Sequence, residues 1–311
     1  MIEGEEEIGS VHFGEIIAPH AGLLRADGCL WEGAGFDPDG RPQLCLGYKG
    51  LLYVQLETRA LSVDAHSATA AFLPSAAWRM VNALGTLRDA DGRVRIPGYY
   101  DAVRAPSVEQ QAALADIPSH EDLWRASFGV ERFLDGLTGT MLQERASFGP
   151  TCNIAGLQSG YTGDGVKTVL PATAMAKIDF RLVPDQDPHA IVAALRAHLD
   201  ASGYDDITLT VLGASGPVVT PFDDPFARRV IEVANAYAGP DKPAVLIPLS
   251  GGTLPLLDPL RRQVGVPGLS APGNPVYWGS AAHSPNEHIR LADLAPAVAF
   301  NMHLLRTLAT P

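Results

Sequence analysis

Hydrophobic residues recur along the chain at two spacings, every second position and about every 3.6 positions, and these outline strands and helices. Leu52, Val54 and Leu56 alternate with Tyr53, Gln55 and Glu57, which predicts a strand buried on one face. Pro74 opens a helical stretch carrying Ala77, Met80, Val81, Leu84 and Leu87, with proline in the first turn. The same succession returns farther on. Ile178, Phe180 and Leu182 alternate with Lys177, Asp179 and Arg181; Asp187 and Pro188 cap a helix through Ile191, Leu195 and Leu199 that stops at Gly203. Ile207, Leu209 and Val211 then alternate with Thr208 and Thr210. Two strand-helix units with one-sided strands predict an open antiparallel sheet covered by helices on one face. This α+β domain is placed at 49–213. The stretch 90–150 between the units is rich in Pro, Gly and polar residues, with one helix predicted around Glu121–Phe133.

The flanks read differently. Residues 1–48 form short elements separated by Gly and Pro. After residue 213, Asp223, Asp224 and Pro225 cap a helix with Phe226, Val230, Val233 and Tyr237, ending at Gly239. Val245-Leu246-Ile247 is all apolar, as in a strand buried on both faces. Leu291–Leu308 reads as a terminal amphipathic helix that tolerates Pro296 near its start. The predicted fold class is therefore α/β: a discontinuous domain, 1–48 with 214–311, holding a partial mixed or parallel sheet, and the α+β domain inserted into it.

Composition narrows the function classes. A 311-residue chain with 46% hydrophobic and 19% charged residues supports packed cores, not disorder. A net charge of −12 repels phosphate backbones and anionic lipid, so nucleic acid is excluded as the expected partner. No apolar run approaches the roughly 18 residues that span a bilayer. The acidic first residues lack the pattern of a signal peptide. Three scattered cysteines, Cys29, Cys45 and Cys152, form no Cys-x-x-Cys pair and read as buried thiols in a reducing, cytoplasmic setting.

The chemistry sits near the two ends. Glu5-Glu6-Glu7 is bracketed by Gly4 and Gly9, so the backbone can turn on both sides. Adjacent carboxylates then point in different directions, one able to hold a cation and its neighbour able to face a bound water. An acidic triplet is otherwise a solvated charge run. Asp27 precedes Gly28, the usual setting of a turn residue. His283 stands in Ala-His-Ser-Pro-Asn-Glu. Carboxylates with imidazole form a ligand set that Zn²⁺ or Mn²⁺ accepts. Asp64 and His66 are two apart, so on a strand they share a face and Asp64 can orient the ring.

Six segments occur in one order: Glu3-Gly4-Glu5-Glu6-Glu7-Ile8-Gly9-Ser10, Asp64-Ala65-His66-Ser67, Gly165–Pro171, Phe180–Pro184, Gly251-Gly252-Thr253-Leu254-Pro255 and Ala282–Glu287. Together they resemble the two-metal peptidase family of cytosolic non-specific dipeptidase (carnosinase-like), glutamate carboxypeptidase, aminoacylase and succinyl-diaminopimelate desuccinylase, the dipeptidase branch most of all. The resemblance implies an amide-bond hydrolase with two zinc ions, or Mn or Co. It makes Glu6 the general base, Glu7 and His283 ligands of one metal, and Asp27 a ligand of the other. His66 would reach across a dimer interface to the developing oxyanion. Arg181 would bind the substrate carboxylate, and Thr168 and the Gly252-Thr253 turn the substrate backbone. The inserted domain would be a ferredoxin-like dimerisation or lid domain, the partner a second copy, and the substrate a small peptide or an N-acyl amino acid. A deacylase or carboxypeptidase is the alternative within enzymes.

One departure counts against a complete site. The family carries a His-x-Asp segment and a bridging Asp upstream of the Glu pair, and neither precedes Glu6. The expectation is therefore a C-terminal portion of a hydrolase. An inactive dimerising module is the alternative outside enzymes.

Overall fold

The computed structural model describes residues 4–10, 12–37, 39–273, 280 and 284–309. In chain order the helices are α1 (Phe13–His20), α2 (Ala76–Gly85), α3 (Val108–Asp116), α4 (Glu121–Phe128), α5 (Gly139–Phe148), α6 (Pro188–Ala201), α7 (Pro225–Ala238), a single turn α8 (Leu257–Pro259) and α9 (Leu291–Leu308). The strands are β1 (Cys29–Ala34), β2 (Gln43–Cys45), β3 (Gly47–Tyr48), β4 (Gly50–Arg59), β5 (Ala65–His66), β6 (Thr151–Ser159), β7 (Val169–Leu170), β8 (Thr173–Leu182), β9 (Thr208–Ser215), β10 (Val218–Val219), β11 (Val245–Ile247) and β12 (Gly268–Pro272). They fall into two compact units: unit 1 is Met1–Lys49, Ala105–Gly149 and Val218–Pro311, and unit 2 is Gly50–Arg104 and Pro150–Pro217.

Unit 2 holds a four-stranded antiparallel sheet in the order β6-β8-β4-β9. Alternation in β4 and β8 sends Leu52, Val54, Leu56, Ile178, Phe180 and Leu182 to one face, where α2 and α6 cover them. The opposite face carries polar residues such as Gln55, Lys177, Asp179 and Arg181. A second pair, β5 with β7, places Ala65 opposite Leu170 and His66 opposite Val169. The first helix differs from the sequence reading. Ser75, not Pro74, starts α2 by accepting a hydrogen bond from the Trp78 N–H. The buried stripe is Ala76, Met80, Ala83 and Leu84, spaced i, i+4, i+7, i+8, while Val81 and Trp78 face outward.

Unit 1 holds a four-stranded mixed sheet in the order β1-β12-β2-β11, with β1 parallel to β12 and β11 parallel to β2. Its strands face apolar clusters on both sides. Leu30, Leu44 and Leu269 pack with α7 and α9 around Phe300, whose ring meets Phe36 and Tyr237 edge-on. Cys29 and Trp31 join the opposite cluster with Phe13 and Ile17 of α1 and with Leu257. Every residue of β12 is buried. β11, predicted to be buried on both faces, is instead a sheet edge with Leu246 and Ile247 half-exposed.

The stretch 105–149 differs most from the sequence reading. It belongs to unit 1, where the reading had kept it within the inserted domain. The physical reason is a set of ties: α3 packs on β11, Arg41 pairs with Asp116 at 2.6 Å, and the buried Lys49 ammonium donates to the Ala146 and Gly149 carbonyls at 2.7 Å each. The single predicted helix is three. α3 has a Ser107/Gln110 capping box, α4 stops at Gly129 in the left-handed conformation rather than running to Phe133, and α5 follows.

Candidate functional site

The sequence-assigned residues divide between the units. In unit 1, Glu6, Glu7 and Ile8 form one turn of 3₁₀ helix closed by Gly9 at φ 89 and Ser10 at φ 48, which turns the chain sharply before α1. The Glu5 carbonyl accepts from the Ile8 and Ser10 N–H groups at 3.0 and 2.8 Å. The Glu5 carboxylate lies 2.9 Å from His12 Nδ1 and accepts from the His12 N–H at 3.3 Å. That hydrogen bond lowers the Glu5 pKa and raises that of His12. Glu6 is half-buried on this turn. The Glu7 side chain and His283 lie outside the described residues. Asp27 is exposed, in the loop before β1. A Cβ at the following Gly28 would lie 2.1 Å from the Phe226 ring, so only glycine lets this loop lie against α7.

The Gly251-Gly252-Thr253 turn is tied to the end of β3. The Lys49 N–H donates to the Gly252 carbonyl at 3.0 Å, and Ser250 Oγ accepts from the Gly252 N–H at 3.2 Å. A turn held by backbone bonds offers its remaining groups to a ligand at low entropic cost.

In unit 2, β5 and β7 bring His66 and Thr168 together, with Nε2 and Oγ1 3.5 Å apart. Asp64 does not orient this ring. It precedes the strand, and its Oδ1 accepts from the Ala172 N–H at 2.8 Å. The ring is held instead by the Ala68 N–H, which donates to Nδ1 at 3.1 Å and makes His66 the cap of the 3₁₀ turn Ser67–Ala71. Sequence reasoning missed this partner because a backbone N–H carries no residue signature. Arg181 is half-exposed on the polar face of β8, with Nε 3.8 Å from Asp179 Oδ1. Asp179 also accepts from Asn153 Nδ2 at 2.7 Å. A cavity of about 660 Å³ opens at the end of this sheet, lined by Glu57, Arg59, Asp64 and Asp206 among others.

Among the described residues, no group of three or more His, Cys, Asp or Glu side chains converges as a metal site needs. Of the proposed ligands only the Asp27 side chain is described; it is exposed, and a carboxylate of this kind is a donor that Zn²⁺ or Mn²⁺ accepts. The three thiols are unpaired; burial pushes Cys45 and Cys152 up to about 12, out of the reactive range. Among the described residues no helix is long and apolar enough to cross a membrane.

Comparison with known proteins adds independent findings. Residues 46–206 match the family model of the peptidase dimerisation domain, described as M20_dimer. The chain is 28% identical over 210 residues to a Beta-Ala-His dipeptidase of Rattus norvegicus, covering 65% of the chain and 41% of that protein. It is 25% identical over 304 residues to a Cys-Gly metallodipeptidase of Candida albicans, covering 94% of the chain and 60% of that protein. The chain thus spans roughly half the length of these curated relatives. Among solved structures, an M20 family metallo-carboxypeptidase from Sulfolobus solfataricus superposes with a TM-score of 0.91 at 35% identity, over 98% of the chain and 68% of that structure. Human carnosine dipeptidase 1 shares the fold at a TM-score of 0.80 and 22% identity, over 99% of the chain and 66% of that structure.

Proposed function

Because the chain belongs to the M20 peptidase family, we propose that it carries part of a metal-dependent hydrolase cleaving the amide bond of a dipeptide with a free carboxylate. The observation that carries this reading is the superposition at 35% identity over nearly the whole chain on a metallo-carboxypeptidase, joined to dipeptidases among the curated relatives. A divalent cation pair of the kind the family resemblance implies would polarise the carbonyl and acidify water. The reading gives Glu7, Asp27 and His283 to that cation pair as ligands, zinc being the expected metal.

On this chain the assigned work is proton transfer and hydrogen bonding. Glu6 takes the proton of the attacking water and returns it to the leaving amine. His66 donates Nε2–H to the developing oxyanion of the partner subunit's site. Arg181 offers its planar fork to the substrate carboxylate, and Thr168, Gly252 and Thr253 hold the substrate backbone. The test is dipeptide hydrolysis by the purified chain supplied with Zn²⁺ or Mn²⁺. EDTA-sensitive turnover lost in Glu6→Gln supports the reading. Absence of both tight metal binding and turnover favours a non-catalytic dimerising module. The 35% identical carboxypeptidase favours a second substrate reading, in which longer peptides and N-acyl amino acids are cut from the carboxyl end. A panel of dipeptides, tripeptides and N-acyl amino acids separates the two.

Dimerisation belongs to the same proposal. The edge strand β6 leaves Ile154 and Leu157 exposed on the side of the sheet that carries α2, and α2 exposes Trp78 and Val81. An unpaired edge beside an apolar strip suits a two-fold contact between copies. Leu157→Lys should shift a dimer to monomer in light scattering at micromolar concentration, and a wild-type monomer would contradict the proposal.

A further inference from the structure

We propose that the Ala68 amide locks His66 as an Nε2–H hydrogen-bond donor, with the Thr168 hydroxyl as its resting acceptor, so that the imidazole serves as donor and not as base. The inference deepens the proposed function and rests on it for the chemistry, though not for the geometry. A backbone N–H only donates, and the Ala68 N–H reaches Nδ1 at 3.1 Å. Nδ1 therefore presents its lone pair, and in the neutral ring the proton resides on Nε2. Nε2 in turn lies 3.5 Å from Thr168 Oγ1, an available acceptor.

The backbone on both sides of the ring is pinned. The Ser67 N–H donates to the Thr168 carbonyl at 3.2 Å, and Thr69 Oγ1 donates to the His66 carbonyl at 2.7 Å. The β5–β7 register sets His66 opposite Val169, and the Asp64 carboxylate staples the Ala172 N–H one residue beyond Pro171. Leu170 and Ala172 are buried, so this small sheet is anchored while the ring stays exposed to a ligand. The ring thus offers one donor and no free acceptor nitrogen. That set suits an oxyanion or a substrate carbonyl, and it leaves proton abstraction to another group, Glu6 in the reading above. Substrate oxygen would replace the Thr168 hydroxyl as acceptor, so Thr168 both aims the ring and yields to the substrate.

Long-range ¹H–¹⁵N spectra of the ¹⁵N-labelled full chain, recorded at mildly alkaline pH so that imidazole rings are read in the neutral form, test this directly. The His66 signals are assigned by their loss in His66→Gln. The expected result is a protonated Nε2 and an unprotonated Nδ1; a proton on Nδ1, or averaged tautomers, overturns the proposal. Ala68→Pro removes the amide hydrogen at a first-turn position that tolerates proline. In that variant the tautomers should average, and kcat should fall several-fold with KM unchanged. Unchanged tautomer and unchanged kcat overturn the lock. Should Ala68→Pro fail to fold, the wild-type spectrum decides alone. Full activity in His66→Gln would remove His66 from the reaction, while the spectra still decide the lock, so the two failures are distinguishable.

Discussion

The two units carry their chemistry on different kinds of scaffold. In unit 2, β4 and β8 pair over ten residues without a break in register, and His66, Thr168 and Arg181 sit on or directly beside paired strands. In unit 1 the strands are two to six residues long, and Glu6, Asp27 and Gly252 sit in turns and a single turn of 3₁₀ helix. A long ladder dictates side-chain direction from the sequence alone, because alternate residues must face alternate sides. A turn does not, because direction there depends on hydrogen bonds to residues far along the chain. Unit 2 is built for fixed donors. Unit 1 places its carboxylates where the backbone can be shaped by turn-forming glycines.

The largest effects should separate the units kinetically. Glu6→Gln in unit 1 should lower kcat about 10²- to 10⁴-fold, the usual worth of a general base. His66→Ala in unit 2 should lower it about 10²- to 10³-fold, the scale of a lost oxyanion donor. Steady-state assays of both variants check this; equal and small losses would erase the division of labour. Next come the cores. Phe180→Ala in unit 2 and Phe300→Ala in unit 1 each remove a fully buried ring, and each should cost about 3–5 kcal/mol. Urea unfolding followed by amide exchange should show loss of protection concentrated in the mutated unit, and uniform loss in both would show that they unfold as one.

A smaller effect is expected at Gly28. Its alanine variant would drive a methyl into the Phe226 ring and should destabilise unit 1 by about 1–3 kcal/mol, read by the thermal midpoint. Smallest is the Arg79–Asp206 pair of unit 2, both partly exposed and worth under about 1 kcal/mol. The Arg79 hydrogen bond lowers the Asp206 pKa below its ordinary 3.8. A lowered carboxyl pKa stabilises the fold above the unfolded value, and the contribution fades as pH falls through the folded one. The Tm difference between wild type and Arg79→Met should thus be full near neutrality and shrink progressively as the pH falls below the ordinary carboxyl range. A difference that grows on acidification would contradict the assignment.

Much of unit 2 was legible before folding. Alternation announced β4 and β8, Asp187-Pro188 announced α6, and both survive nearly to the residue. Motif order pointed to His66, Thr168 and Arg181, and the structure brings the first two together. Less legible was anything held by distant partners. The predicted Asp64–His66 contact is replaced by Asp64–Ala172 and His66–Ala68. The stretch 105–149 joined unit 1 through Lys49 and Arg41, neither of which advertises a carbonyl or carboxylate some 75 to 100 residues away.

What the sequence alone determined is the periodicity, and with it the antiparallel sheet under two helices, together with the ordered motifs that identify the family. What only the tertiary structure decided is which face of α2 is buried, where 105–149 belongs, and which group holds the His66 ring. The reason is physical. Periodicity is set by neighbours two to four residues apart, whereas a buried ammonium or a capped imidazole is satisfied by whatever backbone group folding happens to bring within about 3 Å.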